Sequence, residues 1–246
     1  MECYKEFAKI YDKLIYGDVN YENWANYIIK ICDEYGVNKD SYLDLACGTG
    51  NMTKEIAKYF KHTWAVDLSY DMLTEAEDKL RGCKIKAKFV CQDISDLDLK
   101  SKFDLVTCIL DSTNYILDTE KLKNYFVSVY KHLNDKGIFI FDINSYYKLT
   151  EILGNNVYNY DDGEVVYIWE NVLENDIVDM YLTFFIKEGE KYRRFDEEHR
   201  ERAYTDEFIS QLLTEIGFTI LKKLDNYENE KLGEDTERIV YVLMKK

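Results

Sequence analysis

The stretch Leu43-Asp44-Leu45-Ala46-Cys47-Gly48-Thr49-Gly50-Asn51 runs from apolar residues into a paired-glycine loop. Three ligand chemistries compete for it. A P-loop needs a lysine directly after its last glycine, and none follows Gly50. A dinucleotide fingerprint needs a third glycine where Thr53 stands, although a lone glycine pair does not by itself exclude NAD. Asp44 discriminates further. A pyrophosphate at a helix N-terminus wants amide donors and no neighbouring carboxylate. Asp44 suits a ligand bearing a cation as well as an anion, such as an amino-acid moiety. A second acid, Asp67, ends the run Trp64-Ala65-Val66-Asp67 about twenty residues on, the spacing at which a carboxylate accepts ribose hydroxyls. Leu68 and Met72 would then lie against a base, with Ser69 capping the next helix. A third acid, Asp93, follows Val90-Cys91-Gln92 and can accept from an exocyclic adenine amine, with Ile94 beside the ring. Each acid alone is equally well a solvated loop residue. Together they describe adenosine joined to an amino acid.

Elements must place these acids on one edge. Near-continuous apolar runs at 41–46, 63–66, 87–91, 103–109 and 137–142 read as strands, with helical periodicity at 52–60, 70–80 and 120–133 between several of them. Such alternation predicts an α/β fold with a doubly wound, mostly parallel sheet covered on both faces, whose carboxyl edge binds ligand. Upstream, Phe7, Ile10, Tyr11, Leu14 and Ile15 follow a helical stripe, which Tyr21, Trp24, Ile28, Ile31 and Cys32 repeat after Gly17-Asp18. From about 164 to 202 the pattern changes to three antiparallel strands, separated by Glu174-Asn175-Asp176 and Glu188-Gly189-Glu190. A helix capped by Thr205 and strands at 218–224 and 238–244 complete the fold.

Composition bounds the function classes. The 246 residues include no proline, and 32 basic against 47 acidic side chains leave a net charge of −15. That charge disfavours nucleic acid and anionic membrane as partners, since both are bound largely through cations. No apolar run approaches a membrane span, and the charged amphipathic start lacks a secretory leader's apolar block, so the expected location is cytoplasmic. The six cysteines are scattered without a CxxC pair and read as buried free thiols, Cys47, Cys91 and Cys108 ending or lying within strand-like runs. His62, His132 and His199 form no metal spacing, and no metal is expected.

Asp44-Leu-Ala-Cys-Gly48-Thr-Gly50, Val66-Asp-Leu-Ser69 and Gln92-Asp-Ile-Ser-Asp-Leu97 resemble, in order, the first three motifs of class I S-adenosylmethionine-dependent methyltransferases. The resemblance covers about residues 42–142. The opening Tyr11-Asp-Lys-Leu-Ile-Tyr16 and Tyr21-Glu-Asn-Trp24 are similar to a bacterial small-molecule branch related to sugar N-methyltransferases. It implies a Rossmann-like seven-stranded sheet in a single domain over 1–246, an N-terminal helical lid at 1–36 and an antiparallel β insertion at 145–204 over the substrate edge. S-adenosylmethionine is the implied cofactor. Asp44 would meet the methionine ammonium, with Ala46, Cys47, Gly48, Thr49 and Gly50 along the methionine moiety, Asp67 on the ribose, Asp93 on the adenine amine, and Tyr11 covering the sulfonium or carboxylate from the lid. Tyr11 reads equally as a core-facing aromatic. The family usually has glycine where this chain has Ala46, which alanine tolerates if the backbone there needs no positive φ.

A sulfonium methyl is already activated, so transfer is an in-line displacement that needs alignment, exclusion of water and a neutral nucleophile. In this fold the residues past the fourth strand face the methyl, which makes Asp111 the candidate for acceptor positioning or proton uptake; its plainer role is to support the turn with Ser112. His199 is a candidate base near neutral pH, with an exposed strand histidine as the alternative. Without proline, neither the Asp/Asn-Pro-Pro-aromatic signature of amine-methylating base enzymes nor the Pro-Cys pair of cytosine enzymes exists here. The expected activity is methyl transfer to N or O of a small molecule. An NAD-dependent oxidoreductase, an RNA methyltransferase and a non-catalytic S-adenosylmethionine-binding protein remain as alternatives. Oligomeric state is not legible.

Overall fold

In the computed structural model, which describes residues 19–228 and 231–245, the described residues open with α1 (Tyr21–Glu34) and β1 (Ser41–Leu45). There follow α2 (Asn51–Ala57), β2 (His62–Asp67), α3 (Tyr70–Gly82), β3 (Lys88–Cys91) and β4 (Phe103–Cys108). Next come α4 (Thr119–His132), β5 (Leu133–Asn144) and a π-helical turn at Lys148–Leu153. The chain continues through β6 (Val157–Asp161), β7 (Val165–Glu174), β8 (Ile177–Glu188), β9 (Lys191–Arg202), α5 (Asp206–Ile216), β10 (Phe218–Asp225) and β11 (Arg238–Lys245). Seven strands form one sheet in the order β10-β11-β5-β4-β1-β2-β3, and four form a second in the order β6-β7-β8-β9. Among the described strands of the larger sheet, β11 alone runs opposite to the rest.

Side-chain alternation explains why helices cover both faces. Leu43, Val106, Phe139, Phe141 and Tyr241 point to a core shared with α4 and α5. Their neighbours Tyr42, Leu105, Ile138, Ile140 and Val240 point to the opposite core, shared with α1 and α2. Strands buried on both sides must be apolar at consecutive positions, as these are. Helix starts are fixed by side-chain caps: Asn20, Ser69, Asp118 and Thr205 each accept from an amide in the first turn.

In-register parallel pairing then aligns the carboxyl ends. Leu45 sits opposite both Val66 and Cys108, Asp67 opposite Cys91, and Cys108 opposite Phe141. The loops after β1, β2, β3, β4 and β5 therefore open on one edge. At the turn between β7 and β8, Asn175 and Asp176 both adopt positive φ, the twist a two-residue hairpin requires. β9 packs against the short helical turn Ser112–Tyr115 that follows β4.

The structure departs from the sequence reading in three places. The antiparallel unit has four strands instead of three, because β6 is a mostly exposed edge strand with little apolar signal. Cys91 is exposed, while Cys32, Cys47 and Cys108 are buried. The described part of the expected lid, α1, is a layer of the core in which Ile28 and Cys32 are fully buried. The remainder, including Tyr11, lies outside the described residues.

Burial of α1 makes a quantitative prediction. Ile28→Ala should cost about 2–5 kcal/mol of unfolding free energy in urea titrations. A helix merely draped over the sheet would lose less than about 1 kcal/mol.

Candidate active site

The loop after β1 is built on alternating left-handed residues: Ala46 at φ 51°, Gly48 at 54° and Gly50 at 76°. Gly50 opens α2, and a Cβ there would meet Ala76 Cβ at 3.0 Å, so its second role is close packing of α2 on α3. Beside Gly48 there is open space within 4 Å of where a Cβ would sit. Ala46 carries the strain of a conformation that costs an L-residue roughly 1–2 kcal/mol. The condition under which alanine would be unremarkable at this position is not met.

Neighbouring acids hold this loop. Asp67 accepts from the Gly48 amide through Oδ2 and from the Ser69 amide through Oδ1, both at 2.8 Å. Burial raises its pKa above the usual carboxylate range. Asp44 is buried behind the loop and accepts from the hydroxyls of Thr53 at 2.5 Å and Thr107 at 2.7 Å. Burial pushes Asp44 up to about 6 against the opposing pull of those hydroxyls. Thr53, the residue that breaks the dinucleotide fingerprint, is thus what ties α2 to the end of β1. From α3, Lys79 Nζ donates to Thr49 Oγ1 at 3.0 Å and to Asn51 Oδ1. Of the remaining predicted positions, Leu68 is exposed, and Asp93 is exposed and accepts from the Ser95 amide. Met72 and Ile94 are buried, Ile94 within the α4-side core.

Two loops along the same edge, Leu110 and Asp111 form a second strained element, with φ of 61° and 52°. Both of their amides donate to the fully buried carboxylate of Asp142, at 3.0 and 2.7 Å. Tyr227 donates to the same carboxylate at 2.7 Å, and Arg238 Nη1 pairs with it. The other Arg238 nitrogen, Nη2, reaches Asp111 Oδ1 at 2.8 Å. The guanidinium also lies over the Trp24 ring, 5.7 Å from its centroid.

β9 brings further groups to Asp111. His199 is buried and its ring meets Tyr115 edge-on. Burial lowers its pKa to about 4, against an opposing contribution from Asp111. The expectation of an exposed strand histidine is therefore corrected, and as a neutral imidazole it stays uncharged through the physiological range. Glu201, two residues on and on the same face, is buried and accepts from Asn144 Nδ2 at 2.8 Å. Asp111 and His199, far apart in sequence, thus share one recess.

Residues 43–137 match the model of a family described as a methyltransferase domain. A chain from Geobacillus sp. (strain WCH70), named as a methyltransferase without a stated substrate, is 34% identical over 98% of this chain and 99% of its own. A solved S-adenosylmethionine-dependent methyltransferase from Clostridium acetobutylicum ATCC 824 superposes with a TM-score of 0.94 at 55% identity, over 98% of each chain. The chain belongs to the S-adenosylmethionine-dependent methyltransferases. The dTDP-3-amino-3,4,6-trideoxy-alpha-D-glucopyranose N,N-dimethyltransferase of Streptomyces venezuelae is 30% identical over 136 residues, which are 55% of this methyltransferase and 56% of that one. Among the described residues of the methyltransferase, no helix is long and apolar enough to cross a membrane.

Sequence reasoning missed Thr53 as a partner of Asp44, and also Lys79, Thr107, Asp142, Asn144, Glu201 and Arg238. Only Asp142 lay in a position that could have been singled out, at the end of an apolar run on the same edge as the other acids.

Two predictions follow from the strain and the buried acids. Ala46→Gly relieves roughly 1–2 kcal/mol of left-handed strain and loses about 0.4–1 kcal/mol to the freer unfolded chain, so the methyltransferase should melt a few degrees higher. Glu201 is raised to about 8, by burial first and by the charge of Asp111 second. Between its unfolded value and 8 the folded chain retains a proton that the unfolded chain has lost, so stability falls as pH rises. His199 works in the opposite sense, but only below its unfolded value of 6.5. Unfolding free energy should therefore drop between roughly pH 6.5 and 8, by up to about 1.4 kcal/mol per unit, and Glu201→Gln should flatten that slope in urea titrations.

Proposed function

We propose that this methyltransferase acts on a small-molecule acceptor, and that the accepting atom is an amine nitrogen in preference to an oxygen. The observation that carries the reading is that Asp111, buried Glu201 and neutral His199 lie within electrostatic reach of one another, Asp111 on the loop after β4 at the same carboxyl edge as the glycine loop. Carboxyl groups suit an acceptor that arrives as an ammonium and must shed a proton. An alcohol would call for a stronger base than a histidine already pushed down to about 4. The aminosugar relative points the same way. A net charge of −15 favours a small molecule over RNA.

The residues present fit the cofactor. Gly48 leaves open space at the loop, Asp67 ends β2 with its carboxylate held by backbone amides, and exposed Leu68 offers an apolar contact for a base. We assign residues 46–50 to the methionine moiety, Asp67 to the ribose and Asp93 to the adenine amine. When bound, S-adenosylmethionine supplies an activated methyl group. Asp44 acts on the cation of that moiety through its field, because it is buried behind the loop. Asp111, fixed by Arg238, orients the acceptor. The β6–β9 sheet stands over the acceptor side and excludes water from it.

S-adenosylhomocysteine should raise the melting temperature of the wild-type protein, and Asp67→Ala should abolish the rise. Asp111→Asn should keep the rise yet lose about 100-fold or more of methyl transfer to amines, measured with labelled donor. A wild-type protein that millimolar S-adenosylhomocysteine fails to stabilise would refute the assignment of the loop.

A further inference from the structure

Glu201 is a residue whose surroundings are not explained by folding alone. It sits on β9, in the antiparallel sheet, yet its carboxyl group reaches across to the end of β5, where Asn144 Nδ2 donates to Oε2 at 2.8 Å. The side chain is 3% exposed, and among the described residues no donor reaches Oε1. Cations are close by but committed elsewhere. Arg238 is bound to Asp111 and Asp142, and Lys148, on the π-helical turn, contributes only at longer range.

The groups around Glu201 form a connected array. Asn144 links it to Arg238, 3.5 Å from Asn144 Oδ1, and Arg238 holds Asp111 at 2.8 Å. His199 lies on the same face of β9, and Tyr115 packs on its ring. Among the described residues, the charged groups acting on Glu201 are Asp111 on the turn after β4, Lys148 on the π-helical turn and Arg238 on β11. Of the two carboxyl groups facing the recess, Asp111 is neutralised by Arg238. Glu201 has no such counter-ion in contact.

We infer that Glu201 is a catalytic residue of this methyltransferase: its open Oε1 receives the acceptor's ammonium group and takes the proton that the nitrogen must lose before methyl transfer. The inference rests on the proposed amine acceptor at this recess. As the ammonium enters, Glu201 loses its own proton to solvent and becomes the counter-ion that Arg238 already is for Asp111. One N–H proton then passes to the Glu201 carboxylate. The nitrogen lone pair forms the new N–C bond while the C–S bond breaks with its electron pair moving to sulfur. The products are a methylammonium, or a neutral amine once its extra proton is lost to solvent, and a neutral thioether. Burial, which holds Glu201 protonated in the empty recess, makes this ion exchange measurable.

The test uses two ligands of known structure and needs no knowledge of the acceptor. S-adenosylhomocysteine has a neutral thioether at the reacting position, whereas the analogue sinefungin carries an ammonium group there. Titration calorimetry of the full chain at pH 7, repeated in buffers of different ionisation enthalpy, reads both affinity and proton exchange. The wild type should prefer sinefungin by about tenfold or more and release close to one proton with it but none with the thioether. Glu201→Gln should lose most of the preference and the proton release, while its affinity for S-adenosylhomocysteine stays within about twofold. A preference and proton release unchanged in Glu201→Gln would overturn the inference, leaving the cation to Asp111. An equal loss of both ligands in the variant would also overturn it, by making Glu201 a structural carboxyl. Failure of either ligand to bind the wild type would instead refute the cofactor loop on which the reading stands.

Discussion

The buried carboxylate of Asp142 is the interaction on which the acceptor side of this molecule depends. It lies at the end of β5, fully out of solvent, and receives the amides of Leu110 and Asp111, the Tyr227 hydroxyl and the Arg238 guanidinium. Leaving such a group unpaired in the interior would cost several kcal/mol. Four donors from three separate segments remove that cost and fix those segments relative to one another. Two consecutive non-glycine residues in left-handed conformation would not persist on local preference. They persist here because the alternative is an unsatisfied buried anion. Tyr227 stacks on Trp24 at 4.4 Å, so the same carboxylate is also coupled to α1 on the far core face.

A similar economy holds at the cofactor side. Each acid that the sequence offers as a ligand group is already engaged by the fold. Asp67 binds the amides of Gly48 and Ser69, and Asp44 ties β1 to α2 and β4 through two threonines. Structural and ligand roles are compatible because a carboxylate has about four acceptor positions and the fold does not use them all. The consequence is preorganisation. Carboxylates already held in place lose little further freedom when a ligand arrives.

The parts of this arrangement legible in sequence are those set by neighbours in the chain. Near-continuous apolar runs gave the parallel strands, Ser69 and Thr205 announced their helices, and Asn175-Asp176 announced a hairpin. Asp111 and His199 were identifiable as residue types at suitable places, but nothing local says that they meet, because their approach depends on how β9 crosses the turn after β4. Arg238 and Glu201 were hidden for the same reason. Each has an ordinary sequence setting, a charged residue at a strand end or on an alternating strand, and acquires its meaning from partners 57 to 127 positions away. Ala46 failed differently. Its left-handed φ is imposed by the loop's path between Asp44 and Gly48, and residue type alone argues against it.

The two sheets divide the labour in a way that bears on how such an enzyme can change. Everything proposed to hold the cofactor lies on loops of the parallel sheet, braced by Asp44, Asp67 and Lys79 within that sheet's own layers. On the acceptor side, Asp111 comes from the parallel sheet, but Glu201, His199 and the face they share come from β9. Substitution in the antiparallel sheet can therefore alter what is received at the edge without disturbing the Asp142 hub, since none of the hub's donors belongs to β6–β9. The restriction is electrostatic. Any replacement for Glu201 must coexist with a buried Arg238 whose charge is balanced by Asp111 and Asp142, so a cation at that position would meet repulsion with no solvent to screen it. The position of Glu201 is thus free to vary among neutral and acidic side chains and closed to basic ones, because the charge it must coexist with is fixed by the hub and not by β9.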